Sequence, residues 1–392
     1  MMESKLFYMG KENRSLEIYI HLPFCVRKCL YCDFVSGPYG AEVRKSYVNK
    51  LLWEIDSFFE EATKESAEKY TCTSVFFGGG TPSILPSEEI DRILCKLKEY
   101  LVFDSPEITI EVNPGTVKPG VFEKYLESGI NRVSIGAQST DSEELKTLGR
   151  IHTYGDFKET LRSAKEAGFT NISADIMTAI PGQSTKSLER TLREIVASNL
   201  THISAYSLIV EEGTPFYEMD LELPSEEEER RMYRMTGRIL SEYGFEQYEI
   251  SNYALPGFEC RHNVGYWTRK EYAGFGIAAA SLIGNKRYTN TASIDSYLGA
   301  DHYETLKKLR TDSEELTLKD CMAETVILGL RLNAGVSDGD FYSRYGKHLR
   351  DVYAKEIEKH KREKLLTESD DGRIMLTPRG RDLSNYVMAD FL

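Results

Sequence analysis

The stretch that decides the fold, residues 19–34, reads YIHLPFCVRKCLYCDF and places Cys25, Cys29 and Cys32 on one loop behind a short β-like run. Thiolates at this C-x3-C-x2-C spacing can converge, and thiolates bind zinc or iron–sulfur clusters. A structural zinc site needs four ligands, and no second cysteine pair follows in the chain. Zinc with His21 as fourth ligand, or a loop of reduced thiols, stays an open alternative. A [4Fe–4S] cluster fits three cysteines better, because its fourth iron can take a ligand that is not protein.

The composition narrows the function classes. The chain has 392 residues, 41% of them hydrophobic, which is enough for one large and one small domain. A formal charge of −13 argues against broad binding to nucleic acid or anionic membranes. Seven cysteines with three clustered are typical of a reducing compartment. The start resembles no signal peptide, and the longest apolar stretch, residues 275–284, is about half a membrane span. We therefore expect a cytoplasmic protein without a membrane span or a nucleic-acid partner.

Strand-like and helix-like segments alternate after the cysteine loop. Such alternation predicts an α/β fold with a parallel sheet and right-handed crossovers. Six βα units are two short of a full eight-fold barrel, so the prediction is an open, partial (β/α)6 barrel over residues 17–285, after a tail at residues 1–16. The predicted strands span residues 17–24, 73–77, 108–112, 131–135, 172–177 and 202–209.

Chemistry in such barrels is carried by the loops at the carboxyl ends of the strands. The cysteine loop and the GGGTP turn at residues 78–82 follow the first two predicted strands. Glu111, Gln138 and Asp175 lie at or near the ends of the next three. Each feature alone also suits a structural role, as a tight turn or a salt bridge at the edge of the core. Together on one rim they predict a ligand site.

The C-terminal part has a different character. A connecting segment, residues 286–315, precedes three predicted helices and a hairpin that turns at Asp371-Gly372, so residues 316–392 are predicted to form a winged-helix-like domain. This part holds 13 Lys and Arg against 13 Asp and Glu, whereas DNA binding favours a basic face. A lid or docking module is therefore the favoured interpretation.

The cysteine loop, GGGTP, EVNPG, RVSIGAQS and DIMTAIPGQ together resemble the radical S-adenosylmethionine (SAM) superfamily, in the branch of oxygen-independent coproporphyrinogen III oxidase. The resemblance implies that Cys25, Cys29 and Cys32 hold a [4Fe–4S] cluster and that SAM chelates the fourth iron, where one-electron cleavage releases a 5′-deoxyadenosyl radical. It also implies a set of SAM-binding positions: Tyr19, Tyr31, Gly79, Gly80, Thr81, Glu111, Gln138, Arg150 and Asp175, with Ile209 a weaker match.

Two differences from the decarboxylating oxidases, together with one motif, favour a particular relative within this branch. Phe34 stands where the decarboxylating oxidases usually carry a further cysteine, and the N-terminal arm is short. The run His262-Asn263-Val264-Gly265-Tyr266-Trp267 is similar to the H-N-x-x-Y-W signature of the HemW-type heme chaperones.

This likeness implies a protein that binds heme and passes it to an acceptor protein. His262 would then be an axial ligand, with Cys260 as its rival, and Tyr266 and Trp267 would stack on the macrocycle. The alternative is the oxidase itself, which converts coproporphyrinogen III to protoporphyrinogen IX. The sequence leaves open the acceptor, the role of His21 and whether two chains form a homodimer.

Overall fold

A computed structural model of the chain describes residues 14–65 and 69–392. At its centre six strands run parallel, each pairing with the next along the chain. Their residues are mostly buried on both faces, as in parallel sheets covered by helices. The six strands are β1 (Ser15–Leu22), β2 (Thr71–Gly79), β3 (Val102–Val112), β4 (Arg132–Gln138), β5 (Ile172–Thr178) and β6 (His202–Ser207).

Helices connect these strands and pack on the sheet. Gly129 and Gly168 adopt left-handed conformations directly after two of the helices and end them. Thr153, Ser184 and Ser225 each begin a helix with a capping box. The helices are α1 (Ala41–Glu65), α2 (Ser87–Tyr100), α3 (Val121–Ser128), α4 (Ser142–Thr147), α5 (Tyr154–Ala167), α6 (Thr185–Val196) and α7 (Glu226–Glu242).

The sheet extends beyond the six parallel strands at both edges. On the β6 side it adds β7 (Glu246–Gln247) and β8 (Asn252–Ala254), and after them comes α8 (Arg261–Trp267). On the β1 side it adds β9 (Tyr272–Phe275), parallel to β1, and then antiparallel β10 (Ala280–Ile283). Because β1 and β6 pair with these strands and not with each other, the barrel is open, and the predicted partial barrel is confirmed.

The segment at residues 286–315 does more than connect. Its strands continue the same sheet and make it twelve-stranded. The segment folds into β11 (Lys286–Thr289), α9 (Ile294–Gly299), α10 (Tyr303–Lys308) and β12 (Thr311–Glu315).

The remaining residues form a C-terminal unit with its own hydrophobic core. Its hairpin turns at the predicted Asp371-Gly372, and a third strand pairs alongside. Arg269, just beyond α8, donates hydrogen bonds to Glu324 Oε2 (2.9 Å) and Cys321 Sγ (3.1 Å) and so ties this unit to the sheet. The elements are α11 (Leu318–Gly329), β13 (Val336–Ser337), α12 (Asp338–Tyr345), α13 (Leu349–Arg362), β14 (Leu366–Glu368), β15 (Arg373–Leu376), α14 (Pro378–Asp382) and α15 (Ser384–Ala389).

Within residues 14–65 and 69–392, no helix is both long enough and apolar enough to cross a membrane. The predicted domain limits at residues 285 and 315 stay predictions.

Candidate functional site

The cysteine loop leaves the end of β1 and is closed at its base by backbone hydrogen bonds. Cys25 N–H donates to Gly37 O (2.9 Å), and Gly37 N–H donates to Pro23 O (2.8 Å). Cys25 is 8% exposed, whereas Cys29 and Cys32 are partly exposed. All three thiols are free of disulfide bonds. The loop thus presents three reduced sulfurs at the carboxyl edge of the sheet, as the sequence predicts.

The glycine turn after β2 supports this loop through the backbone. Gly80 N–H donates to Leu22 O (2.9 Å) and Thr81 N–H to Phe24 O (2.7 Å). A Cβ on Gly80 would lie 2.7 Å from Phe24 N, a distance that real Cβ atoms do not reach. Gly79 has φ +103°, which favours glycine. Both glycines are therefore needed for the close approach of the two loops.

The imidazole of His21 contacts two other protein groups. Its Nε2 lies 2.8 Å from Val35 O, and its Nδ1 lies 3.2 Å from the Tyr19 hydroxyl. Both ring nitrogens of His21 thus have a protein partner in this structure. In the described part of the chain, no three His, Cys, Asp or Glu side chains converge on one metal ion. A four-iron cluster makes a different demand, since each thiolate binds a different iron.

A cavity of about 430 Å³ opens behind the cysteine loop, and we call it the cysteine-side cavity. Every second residue of β4 lines it, from Arg132 through Ser134 and Gly136 to Gln138. Alternate residues of a strand point to one face, so β4 gives this whole face to the cavity. Neighbouring strands and loops add Glu111, Asn113, Asp175, Ser204, Tyr206 and Asn252.

Two carboxyl groups in this cavity have pKa values above their usual range. Burial, with a smaller contribution from the nearby Asp175 carboxylate, raises the pKa of Glu111 to about 8, against a backbone hydrogen bond from Gly79 and the charge of Arg132. Burial also raises the pKa of Asp175, although Ser134 Oγ donates to its Oδ1 (3.0 Å). A cationic ligand in the cavity would favour the charged form of both acids. The methionyl ammonium and sulfonium of SAM are such charges.

Arg150 connects the cavity wall to the cysteine loop. Its guanidinium donates to Asn113 Oδ1 (2.7 Å), Gly136 O (3.1 Å) and Cys29 Sγ (3.6 Å). A Cβ on Gly136 would crowd the same group, at 3.2 Å from Arg150 Nη2. The arginine therefore lies in a fixed position, with its positive charge beside the sulfur of Cys29.

Three buried polar atoms in the cavity wall lack a hydrogen-bond partner among the described residues: Gln138 Oε1, Arg132 Nε and Asn252 Oδ1. Buried polar atoms in native proteins nearly always have a partner, so these point to a bound polar molecule or water. Gln138 also has φ +62°, which is uncommon for a residue with a side chain. The cavity therefore fits a polar cofactor with donors, acceptors and positive charge.

The structure brings most of the predicted cofactor residues together around this cavity. Tyr19 lies apart from the lining and bonds to His21. Ile209 is 67% exposed and also lies outside the lining. The residues that do line the cavity are Cys25, Cys29, Tyr31, Cys32, Gly79, Gly80, Thr81, Glu111, Gln138, Arg150, Asp175 and Asn263.

Sequence reasoning missed Arg132, Ser134, Ser204, Tyr206 and Asn252 as lining residues. On β4 and β6 the missed residues alternate with apolar ones. This polar-apolar period of two, within strands otherwise expected to be apolar, is the signal that marks an inner face turned to a ligand.

The H-N-x-x-Y-W segment forms α8, beside the deep end of the cavity. Asn263 lines the cavity, whereas His262 is 2% exposed behind it. His262 Nδ1 lies 2.8 Å from Ser74 Oγ, and its Nε2 lies 3.1 Å from the Tyr266 hydroxyl. Burial, with a smaller effect of the Arg132 charge, lowers the pKa of His262 to about 3, so the imidazole is neutral. In this arrangement His262 has two protein partners.

Comparisons with known proteins agree with this geometry. Residues 19–195 match the model of the radical SAM superfamily, and residues 316–383 match the HemN C-terminal domain. Heme chaperone HemW of Lactococcus lactis is 34% identical over 379 residues, which cover 95% of this chain and 96% of that protein. The chain belongs to the HemW family of radical SAM proteins.

A second HemW relative and one solved structure of another protein are also similar to this chain. Heme chaperone HemW of Bacillus subtilis is 33% identical over 95% of this chain and 98% of its own length. The solved structure of coproporphyrinogen III oxidase (HemN) from Escherichia coli, a radical SAM enzyme, covers 99% of this chain and 92% of that chain with a TM-score of 0.80. At 22% identity this last match shows the fold alone.

Proposed function

We propose that this chain is a heme chaperone that carries a [4Fe–4S] cluster and SAM and delivers heme to an acceptor protein. One observation carries the proposal: relatives that bear the name heme chaperone align with 95% of the chain. A cytoplasmic location and a heme-acceptor protein as partner belong to the same proposal. Whether two chains form a homodimer is a separate question.

The cysteine-side cavity fits the cluster and SAM. Cys25, Cys29 and Cys32 would hold three irons, and the unpartnered Gln138 Oε1 and the acids Glu111 and Asp175 would meet the polar and cationic groups of SAM. When bound, the cluster and SAM supply one-electron chemistry that side chains cannot provide. The chain's own contribution is to orient these groups and to exclude water from them. Arg150 holds positive charge beside Cys29, and Phe24 and Thr81 position the loop.

We also propose that the H-N-x-x-Y-W segment contributes to heme binding through His262, Asn263, Tyr266 and Trp267. A neutral imidazole is the form that ligates iron, and His262 is neutral. Ligation would require His262 Nε2 to exchange the Tyr266 hydroxyl for iron. The rival, Cys260, is less suited, because burial raises the pKa of its thiol to about 12 and disfavours the thiolate that iron needs.

The competing function is oxidative decarboxylation of coproporphyrinogen III. Phe34 argues against it, because this side chain, 62% exposed at the mouth of the cavity, stands where the oxidases carry a further cysteine. The test is anaerobic reconstitution of the chain with iron and sulfide, followed by heme and coproporphyrinogen III in separate samples. We expect heme binding and unchanged porphyrinogen. Turnover of porphyrinogen would establish the oxidase, and absence of heme binding would refute the chaperone.

The role of His262 has its own measurement. Changing His262→Ala should shift the heme Soret band and weaken binding if the imidazole ligates iron. An unchanged spectrum and affinity would exclude His262 as ligand and leave the heme-binding property of the chain intact. Tyr272→Phe, which alters a neighbouring aromatic ring outside the motif, is the matched control.

A further inference from the structure

The loop between β6 and α7, residues 208–223, lies beside the cysteine loop, and we call it the rim segment. It leaves β6 at the carboxyl edge of the sheet, the edge that also carries the cysteine loop. Phe216 N–H donates to Leu30 O (3.0 Å) in the cysteine loop, and Gly182 N–H donates to Glu222 O (3.1 Å). The backbone therefore holds the rim segment against two neighbouring loops.

The inner side of the rim segment belongs to a small hydrophobic cluster. Phe216 is 1% exposed, and Leu30, Tyr31 and Leu221 pack against the same cluster. The ring centroids of Tyr31 and Phe216 lie 6.5 Å apart. Because packed apolar side chains and backbone hydrogen bonds both fix this side, the opposite side of the segment is a preformed surface.

The outward side of the rim segment carries apolar side chains that folding leaves uncovered. Exposed large hydrophobic residues are few in the described part of the chain, and this one loop contributes four of them, each 47–67% exposed. Phe34 and Val26 on the adjacent cysteine loop are exposed as well. Large apolar side chains gathered on one surface are typical of a protein interaction site. The four in the rim segment are Ile209, Tyr217, Met219 and Leu223.

The charge of the rim segment selects among possible partners. Residues 208–223 contain five acidic side chains, all exposed, and no Lys, Arg or His. An anionic lipid surface would repel such a segment. In a two-fold dimer through this surface the same patch meets itself, so five acids would face five acids. A protein face with Lys and Arg around an apolar centre matches both the charge and the exposed side chains. The acids are Glu211, Glu212, Glu218, Asp220 and Glu222.

We propose that the rim segment docks a partner protein through a face that is apolar at its centre and basic at its edge. The inference goes beyond the heme-chaperone function and does not depend on it, because it concerns a surface and neither heme nor the cluster. Since the segment is already held in place by Phe216 and Glu222, docking requires little ordering of the loop, which favours affinity.

Binding of a short fluorescent peptide of Leu and Lys, amphipathic as a helix, to the reconstituted full chain tests the surface by anisotropy. The same peptide with Glu in place of Lys should bind about tenfold more weakly or worse. Tyr217→Ser with Met219→Ser removes apolar contact area, and Glu212→Lys with Glu218→Lys reverses the charge. Each pair should weaken binding of the Leu/Lys peptide about tenfold or more.

Matched controls make the same changes at exposed positions outside the rim segment. They are Tyr342→Ser with Leu383→Ser, and Glu123→Lys with Glu127→Lys, and both should bind the peptide like the wild type. Failure of the wild type to bind the Leu/Lys peptide, or wild-type affinity in both rim variants, would overturn the docking surface. Heme plays no part in these readouts, so the proposed function stands or falls separately.

Two further measurements on the wild type and on the Tyr217→Ser, Met219→Ser variant address the other occupants. Sedimentation with phosphatidylglycerol vesicles tests a membrane, and analytical ultracentrifugation tests a second copy of the chain. We expect no difference between the two proteins in either measurement. Vesicle binding or self-association that the variant loses would assign the rim segment to that occupant and overturn the docking of a basic protein.

Discussion

The two cavities of this chain differ in how they are built. The cysteine-side cavity is formed by inward-facing residues of parallel strands, and its acids, Glu111 and Asp175, have raised pKa values. The other cavity, of about 600 Å³, lies between α8 and the C-terminal unit, and we call it the interdomain cavity. It is formed by helix ends and loops of two units, and Lys270, Arg344 and Arg373 line it. Strand positions are rigid, which suits a cofactor that must be placed accurately. An interface between two units can yield, which suits a ligand that enters and leaves.

The sharpest way to separate the two cavities is to remove the cluster. Cys29→Ser should abolish the absorbance near 400 nm and the bound iron after reconstitution, because three thiolates are the minimum set for the cluster. Heme affinity, measured on the same preparation, should stay within about twofold of the wild type. Cys95→Ser, at an exposed position on α2, should retain the cluster. Loss of heme binding in Cys29→Ser would show that heme binding requires the cluster.

A buried acid on β1, Glu17, should give a pH-dependent stability. Glu17 is 0% exposed, and both carboxylate oxygens lack a hydrogen-bond partner among the described residues. Burial raises its pKa from 4.5 to about 8, against the opposing charge of Lys270. Between these values the folded state keeps a proton that the unfolded state has lost. Glu17 therefore costs stability as pH rises from 4.5 to 8, by up to about 1.4 kcal/mol per pH unit.

Glu17→Gln should remove this cost. The variant's free energy of unfolding, measured with urea, should exceed that of the wild type more at pH 8 than at pH 5. Glu99→Gln, at a surface ion pair, should show the same small difference at both values. A pH-independent difference for Glu17→Gln would show that Glu17 ionises normally.

Glu111→Gln tests the cationic character of the ligand in the cysteine-side cavity. Loss of a charged hydrogen-bond acceptor costs about 1.5–3 kcal/mol, or roughly 10–100-fold in SAM affinity. In the wild type, SAM binding should tighten as pH rises through about 8, because Glu111 must lose its proton to attract a cation. The variant should lose that dependence in calorimetric titration. Glu88→Gln, exposed on α2, is the control, and an equal affinity in both variants would contradict a role for Glu111.

The smallest effect concerns the wall of the interdomain cavity. Arg331→Ala removes the guanidinium over Trp267 and should cost about 0.5–1 kcal/mol of stability. Trp53→Phe leaves Trp267 as the sole tryptophan, so its fluorescence reports the change directly. Arg379→Ala, exposed on α14, should leave stability and emission unchanged. Emission that is identical with and without Arg331 would mean that the two side chains do not interact in solution.

Much of the fold follows from the sequence because local signals agree with it. The six-fold alternation of strands and helices yields the predicted partial barrel, and the C-terminal hairpin turns at the predicted Asp371-Gly372. The strands at residues 272–289 and 311–315 were missed. All four are only four or five residues long, and β11 and β12 are mostly polar, with β12 exposed throughout, so pairing and not composition makes these two segments strands.

The residues of the candidate site also divide into those that a local sequence pattern reveals and those that only the fold reveals. Cys25, Cys29 and Cys32 were found because ligand spacing is a local property. Arg132 was not found, because a lone arginine in a strand suggests a surface position. Only the fold shows that it is buried. The interdomain cavity had no sequence signal at all, since Trp267 and Arg373 are more than 100 residues apart and meet only when the two units pack. Contacts of this kind depend on tertiary structure.

The short helix α8 has a consequence for how the two cavities communicate. It spans seven residues, with Asn263 in the wall of one cavity and Trp267 in the wall of the other. Any shift of α8 on ligand binding therefore changes both sites. Linkage then requires reciprocity: the factor by which SAM alters the affinity for heme equals the factor by which heme alters the affinity for SAM. Heme loading can therefore be followed through its effect on SAM affinity, which is measured on the other side of the helix.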